Sequence, residues 1–122
     1  MKIFIVDDDH EAIQVMQVVL ESAGYEVNSN VSGAQAVSGI MAMKPDCVII
    51  DLMMAALDGL DLCDEIRQIS ALDGTRIIMV SARDADHWKE KAGERGASGY
   101  ITKPIDPATF ADQVMAIVDG TI

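Results

Sequence analysis

Short apolar runs alternate with amphipathic segments along this chain. Runs rich in Ile and Val occupy residues 3–6, 47–50 and 77–80. They are apolar without alternation, which is typical of central parallel strands covered on both faces. Residues 25–27 and 100–101 predict two weaker strands at the edges of the sheet.

The first two helices are predicted from spacing and from capping residues. Gly24 ends the first helix, whose apolar residues recur at helical spacing: Ala12, Met16, Val19 and Ala23. Ser32 and Gln35 predict a capping box for the second helix, which ends before Pro45. Its apolar residues are Val37, Ile40 and Met41.

Three further helices follow the same pattern. Asp58 is predicted to cap the third helix, whose apolar stripe is Leu62, Ile66 and Ile69. The fourth, over residues 84–95, has the poorest stripe and contains Gly93. The fifth is predicted to open at Pro107, and its stripe is Phe110, Val114, Ile117 and Val118.

The strict alternation of strands and helices predicts the fold class. Five strands and five helices in this order indicate a doubly wound α/β domain, in which right-handed crossovers place helices on both faces of a parallel sheet. The 122 residues are expected to form a single domain, 1–122.

Composition and charge narrow the function classes. Half of the residues are hydrophobic, so a substantial core is expected rather than disorder. The formal net charge of −11 disfavours direct binding to nucleic acid or to anionic membranes. No signal peptide or membrane-spanning run is recognisable, so a cytoplasmic location is expected. Cys47 and Cys63 lie in apolar stretches and are predicted to be buried, reduced thiols.

Reactive or charged residues follow four of the five predicted strands. The third strand ends in Asp51, the fourth in Ser81, and the fifth runs into Lys103. The first ends in three acidic residues: Asp7, Asp8 and Asp9. Because the carboxyl ends of parallel strands share one edge of the sheet, these side chains are expected to form one ligand site.

This cluster favours phosphoryl chemistry with a divalent cation. Carboxylates held close together repel one another and raise at least one pKa, and Mg²⁺ would relieve that repulsion. Ser81 and Lys103 supply a hydroxyl and an ammonium that can hold phosphoryl oxygens. One carboxylate is then the expected nucleophile, because neither Cys nor His competes for this role.

Four motifs together resemble the receiver domain of two-component response regulators, over essentially the whole chain. They are IFIVDDDH at the first strand, VIIDLMM with DG at 58–59, MVSA at the fourth strand and GASGYITKP at the fifth. Each motif alone is weak, but their order and spacing are specific. The resemblance implies a flavodoxin-like fold with strand order 2-1-3-4-5.

The resemblance also implies a role for each site residue. Asp51 corresponds to the phosphoacceptor, and Asp7 and Asp8 to the acidic pair that holds Mg²⁺, one directly and one through water. Met53 corresponds to the residue that offers its backbone carbonyl to the metal. The remaining correspondences are Ser81 and Ala82 beside the phosphoryl group, Lys103 with a cis bond to Pro104, and Tyr100 as an aromatic switch.

The implied function is a signalling switch rather than a classical enzyme. A histidine kinase or histidine phosphotransfer protein would donate the phosphoryl group, and Met53 and Arg83 would flank the path of the hydrolytic water. Phosphorylation would then change the face formed by the fourth helix, fifth strand and fifth helix. That face would bind an unknown protein target or a second copy of the chain.

Several alternatives stay open at this level. Ala55-Ala56 replaces the Pro-Gly frequent in the family, which leaves room for a receiver-like interaction module that takes no phosphate. A phosphatase of the haloacid-dehalogenase type also uses strand-end aspartates, and 7–9 superficially fits its motif. Asp9 is more simply a cap of the first helix, which His10 would begin, and Tyr100 and Trp88 have packing roles as alternatives. Since no output domain follows the fifth helix, the chain is either a stand-alone receiver or part of a longer protein.

Overall fold

The structure is a computed structural model of the chain, and it describes residues 1–54, 58–83 and 86–120. The Ala55-Ala56 pair, at the position where the family often has Pro-Gly, lies outside the described residues. The first two residues predicted for the fourth helix lie outside them as well.

The strands form a single five-stranded parallel sheet in the order β2-β1-β3-β4-β5. In chain order they are β1 (Lys2–Val6), β2 (Glu26–Asn30), β3 (Cys47–Asp51), β4 (Arg76–Ser81) and β5 (Gly99–Thr102). This order confirms the doubly wound, flavodoxin-like prediction. The order of the strands reverses between β1 and β3, and sheets of this kind bind ligands at that point.

Five α-helices alternate with the strands in the described part of the chain. They are α1 (His10–Ser22), α2 (Gly33–Met43), α3 (Gly59–Arg67), α4 (Asp86–Glu94) and α5 (Phe110–Asp119). A short 3₁₀ helix, Ser70–Leu72, follows α3 and was not predicted from the sequence. Among the described residues, no helix is long and apolar enough to cross a membrane.

Two hydrophobic cores lie on opposite faces of the sheet, which explains the uninterrupted apolar runs. Phe4 and Val6 point into one core with residues of α2, α3 and α4, whereas Ile3 and Ile5 point into the other with residues of α1 and α5. Successive residues of a strand face opposite sides, so a strand that is covered on both sides must be apolar at every position. Cys47 and Cys63 are free and buried, as predicted, and burial raises the pKa of the Cys47 thiol to about 12.

One predicted capping interaction is absent, and one predicted helix start was wrong. Ser32 is the N-cap of α2 but its side chain makes no capping bond, and its own N–H donates to Asn30 Oδ1 at 2.8 Å, so the capping box is absent. α5 begins at Phe110 rather than at Pro107. Asp106 explains this delay, because its carboxylate accepts the Ala108 N–H at 3.0 Å and holds the intervening residues in a turn.

Other predicted boundaries were accurate to within a few residues. Asp9 and Asp58 cap α1 and α3 by accepting the N–H groups of Glu11 and Leu60. Ile69 packs against the core but lies beyond the end of α3, because the helix stops at Arg67. Tyr25 precedes β2 instead of opening it.

Candidate functional site

The register of the sheet brings the predicted site residues to one edge. Asp51 is the last residue of β3 and Ser81 the last residue of β4. Asp7 directly follows β1, and Lys103 directly follows β5. The strands are parallel and staggered by only a residue or so at this edge, with Asp51 opposite Val80. The four side chains therefore meet although they are distant in the chain.

Three carboxylates form a compact acidic cluster. Asp7, Asp8 and Asp51 each offer an oxygen atom, and these atoms all lie within 4.8 Å of one another. The exposed fractions of Asp7 and Asp51 are only 1% and 8%, whereas Asp8 is exposed to solvent. Two largely desolvated carboxylates at this distance repel each other strongly, so the cluster favours binding of a cation.

Lys103 neutralises part of this charge. Its Nζ lies 2.9 Å from Asp7 Oδ2 and 3.8 Å from Asp51 Oδ1. Burial by itself would lower the pKa of Lys103, but the hydrogen bond to Asp7 and the charges of Asp51 and Asp7 outweigh it and raise the pKa. The lysine is therefore held as an ammonium beside the acidic cluster.

The ionisation of Asp51 reflects this crowded environment. Burial is the largest cause that raises its pKa, and the negative charge of Asp7 adds to it. Lys103 and the Met53 N–H, which donates to Asp51 Oδ1 at 3.3 Å, act in the opposite direction. The net effect raises the pKa of Asp51 from 3.8 to about 6. A set of hard oxygen donors with unrelieved negative charge fits Mg²⁺, which takes few carboxylates together with water and phosphate oxygens.

Local backbone interactions orient the acidic residues. Asp7 Oδ1 accepts the N–H of Asp9 at 2.9 Å, and Asp9 in turn caps α1. The cap prediction for Asp9 is thus confirmed, and the same residue also helps to fix Asp7. The Met53 side chain is 46% exposed, and its backbone lies one residue beyond Leu52, whose N–H donates to the Val80 carbonyl.

Gly59 allows the start of α3 to pack closely on the end of β3. The sequence motif contained this glycine, but its role was not predicted. A Cβ atom at this position would lie 2.5 Å from the backbone oxygen of Asp51 and 2.8 Å from Leu52 Cα. The Gly59 N–H donates to the Leu52 carbonyl at 3.0 Å, so the start of α3 packs directly on the end of β3. The DG motif at 58–59 contained the signal, but only the packing shows why glycine is required.

Ser81 and Tyr100 are joined through the backbone of Arg83. Ser81 Oγ accepts the Arg83 N–H at 3.1 Å, and the Tyr100 hydroxyl donates to the Arg83 carbonyl. Tyr100 is partly buried against the core on the α3–α4 side of the sheet. It therefore does more than fill space, because its hydroxyl fixes the segment that follows β4.

A cavity at this edge is lined by all three residues that were predicted to bind the phosphoryl group, together with Asp51. Its lining residues are Asp51, Met53, Ser81, Ala82, Arg83 and Lys103. Asp7 and Asp8 adjoin it through their contacts with Asp51 and Lys103. The peptide bond between Lys103 and Pro104 is cis, as the resemblance implied.

Comparisons with known proteins agree with this geometry. Residues 3–115 match the family model of the response regulator receiver domain. The alkaline phosphatase synthesis transcriptional regulatory protein PhoP of Bacillus subtilis is 34% identical over 117 residues, which cover 96% of this chain and 48% of that protein. The DNA-binding response regulator MtrA of Mycobacterium leprae is 31% identical over 94% of this chain and 50% of its own length.

Solved structures show the same architecture. The chemotaxis response regulator CheY4 of Vibrio cholerae superposes with a TM-score of 0.90 at 27% identity, covering 95% of this chain and 97% of that chain. The BeF3-activated N-terminal receiver domain of Klebsiella pneumoniae RstA superposes with a TM-score of 0.87 at 29% identity, covering 97% of this chain and 98% of that chain.

The chain belongs to the response regulator receiver domain family of two-component systems. More particularly, its structural neighbours are CheY-like receiver domains. The family match removes the haloacid-dehalogenase alternative. The chain spans about half the length of the curated relatives that it matches.

Proposed function

We propose that this chain is a phosphoacceptor receiver, with residues 1–122 as one domain, and that Asp51 takes the phosphoryl group. The observation that carries the proposal is the neighbourhood of Asp51. This carboxylate shares a cavity with a hydroxyl and an ammonium, those of Ser81 and Lys103, and it also adjoins two further carboxylates. It is the strand-end carboxylate that combines all of these neighbours.

The proposed reaction is in-line transfer from a phosphohistidine. A carboxylate oxygen of Asp51 attacks phosphorus, the P–N bond breaks, and the imidazole nitrogen keeps the electron pair and takes up a proton. Lys103 and Ser81 would bind phosphoryl oxygens as negative charge moves onto them. Little covalent chemistry is required of the protein, so catalysis rests on positioning and charge neutralisation. This assisted transfer makes the chain a signalling phosphoacceptor rather than a classical enzyme.

Asp7, Asp8 and Asp51 would hold the Mg²⁺, together with the backbone carbonyl of Met53. The bound ion would neutralise charge shared by the carboxylates and the phosphoryl oxygens. The exposed position of Asp8 and the buried position of Asp7 support unequal roles, one ligand being direct and the other acting through water. These oxygen donors are all of the type that Mg²⁺ prefers.

The proposed switch runs from Ser81 to Tyr100. A phosphoryl group on Asp51 would draw the Ser81 hydroxyl toward it, and that hydroxyl now accepts the Arg83 N–H. The carbonyl of the same residue accepts the Tyr100 hydroxyl, so movement of Ser81 would be transmitted to β5 and to the adjoining α4. Two arrangements of this face, with different partner affinities, would provide the output.

The phosphodonor is proposed to be a histidine kinase or a histidine phosphotransfer protein that docks beside α1. A largely apolar groove runs there from Asp9 to Lys103, next to the acceptor site, and its apolar lining is Ala12, Val15, Met16, Pro104 and Ile105. Val18 on the same helix is 64% exposed. Such a donor implies a cytoplasmic location. We do not propose DNA binding for this chain, although some relatives are named for it, because the net charge of −11 disfavours binding to nucleic acid.

The output partner is proposed to be a protein, and a second copy of this chain is one candidate. α4 carries exposed Lys89 and Lys91 among exposed acidic residues, whereas the exposed charges of α5 are those of Asp112 and Asp119. In a two-fold dimer through α4, β5 and α5, the same surface of each copy would meet the other, so these opposite charges could pair. Sedimentation velocity with and without beryllofluoride tests this, and an unchanged monomer would exclude the dimer.

Labelling with a small phosphodonor tests the proposed function directly. Acetyl phosphate or phosphoramidate with Mg²⁺ should add one phosphoryl group per chain, which intact-mass spectrometry detects as the added mass of HPO₃ (~80 Da). Asp51→Asn should abolish the label, and removal of Mg²⁺ by chelation should slow it. The exposed Asp112→Asn is the matched control. A label retained in Asp51→Asn would move the acceptor to Asp7 or Asp8, and an unlabelled wild type would favour an interaction module that takes no phosphate.

A further inference from the structure

Arg83 connects the acceptor site to the first turn of α4. Its backbone is held by Ser81 on one side and by Tyr100 on the other. Arg83 is exposed and lines the cavity that contains Asp51, Ser81 and Lys103, which we call the acceptor cavity. The guanidinium carbon lies 5.4 Å from the ring centroid of Trp88, which is within range of a cation–π interaction.

Trp88 is held firmly enough to act as a platform. It is partly buried and packs against the core on the α3–α4 side of the sheet. Lys91 Nζ lies 5.5 Å from the centroid of the same ring, and the His87 ring is tilted beside it at 5.0 Å. The indole therefore attracts two cations, of which only Arg83 also lines the acceptor cavity.

The guanidinium of Arg83 is engaged with this ring rather than with the acidic cluster. The cation that lowers the pKa of Asp51 is Lys103, which lies 3.8 Å from the carboxylate. Among the residues that the structure describes, the Arg83 guanidinium contacts the Trp88 ring. A positive group at the mouth of a phosphate site is thus held back by an aromatic face.

We infer that Trp88 is a positioning residue that holds the Arg83 guanidinium away from the phosphoryl group on Asp51, and thereby sets the lifetime of that group. The inference rests on the proposed function. An aspartyl phosphate carries two negative charges that compete with the indole for Arg83. When the ring is removed, Arg83 is free to contact the phosphoryl oxygens and to cover the side from which water approaches.

The affected step is hydrolysis of the aspartyl phosphate. The oxygen of a water molecule bonds to phosphorus, and the bond between phosphorus and the Asp51 oxygen breaks. Asp51 leaves as a carboxylate with the electron pair, and inorganic phosphate carries away the water oxygen and its protons. A guanidinium lying over the phosphoryl oxygens would obstruct the in-line path of the water, so the half-life should increase.

Decay of the labelled protein in a double-mutant cycle tests the inference. Trp88→Leu should lengthen the half-life about two- to fivefold, the range expected for an exposed cation–π contact. Trp88→Phe, which keeps an aromatic face, should restore most of the wild-type rate. In an Arg83→Met background, Trp88→Leu should have no further effect. Lys91→Met is the matched control, because it removes the other cation from the ring and should leave the decay unchanged.

A second measurement needs no phosphoryl group. The side-chain proton resonances of Arg83 should carry a ring-current shift that Trp88→Leu removes and Lys91→Met preserves. An equal effect of Trp88→Leu with and without Arg83, or an Arg83 resonance indifferent to Trp88, would overturn the inference. Its failure is distinguishable from failure of the proposed function, since a label that forms on Asp51 but decays independently of Trp88 contradicts this inference alone.

Discussion

Lys103 and Asp7 are 96 residues apart in the chain, yet Lys103 Nζ lies 2.9 Å from Asp7 Oδ2. The carboxylate is almost fully buried, whereas the lysine retains partial access to solvent. This ion pair links the end of β1 to the end of β5 across the two strands that lie between them, β3 and β4. It also leaves the ammonium within 3.8 Å of Asp51, where a phosphoryl oxygen would have to be bound.

Removing the lysine should destabilise the protein in a metal-dependent way. Lys103→Met leaves the buried Asp7 without its cation, which should cost about 1–3 kcal/mol of unfolding free energy in the absence of divalent ions. Added Mg²⁺ should recover part of this loss, since the ion neutralises the same carboxylates. Urea denaturation with EDTA or Mg²⁺ measures both effects. Lys89→Met, at an exposed position of α4, is the control, and equal losses in the two variants would contradict the prediction.

The stability of the metal-free protein should depend on pH through Asp51. Folding raises the pKa of this carboxyl from 3.8 to about 6, so between these values the native state holds a proton that the unfolded state has released. The contribution of Asp51 to stability is therefore fully present below about pH 4 and is lost as the pH rises through about 6.

Comparison with Asp51→Asn isolates this contribution. The variant should be more stable than the wild type by about 1–2 kcal/mol at pH 8, and the difference should shrink toward pH 4. Chemical denaturation in EDTA at several pH values measures it. A difference that is constant with pH, or that grows on acidification, would show that the environment of Asp51 does not raise its pKa.

A methyl group at position 59 should disturb the end of β3. Gly59→Ala would place Cβ 2.5 Å from the Asp51 backbone oxygen, a contact that must be relieved by moving α3 or the end of β3. We expect a loss of about 1–3 kcal/mol in stability, as for other overpacked sites, together with slower labelling of Asp51.

Gly93→Ala is the matched control for this substitution. Gly93 lies in α4 with open space around the position of a Cβ atom, so alanine should stabilise the protein slightly through its higher helix propensity. Thermal unfolding and labelling rates should separate the two variants. If Gly59→Ala behaved like Gly93→Ala, the close packing of α3 on β3 would not be required for the site.

The hydroxyl of Tyr100 should restrain the segment that follows β4. Tyr100→Phe removes the hydrogen bond to the Arg83 carbonyl, at a cost of about 1 kcal/mol. Amide hydrogen exchange at Arg83 should become faster, while labelling of Asp51 should still occur. Tyr25→Phe, at the opposite edge of the sheet, serves as the control. Unchanged exchange at Arg83 would remove the hydroxyl from the proposed switch.

The sequence predicted the architecture because burial on two faces leaves a direct record in it. Runs such as 47–50 are apolar at every position, and the helices between them keep helical spacing, so strand and helix types were recognised correctly. Helix starts were less predictable. Ser32 has the residue type of a capping box, but its N–H bonds to Asn30, and Asp106 delays the fifth helix beyond Pro107. These choices depend on competing local hydrogen bonds of similar energy.

The sequence alone determined which residue types end the strands, and the parallel sheet then requires Asp7, Asp51, Ser81 and Lys103 to share one edge. Only the tertiary structure decided which groups pair there: the lysine with Asp7, the backbone of Gly59 against Asp51, and Arg83 with Trp88. The physical reason is range. Periodicity records on which face of its own helix or strand a residue lies, whereas contacts between distant loops depend on ångström-scale packing that no local pattern records.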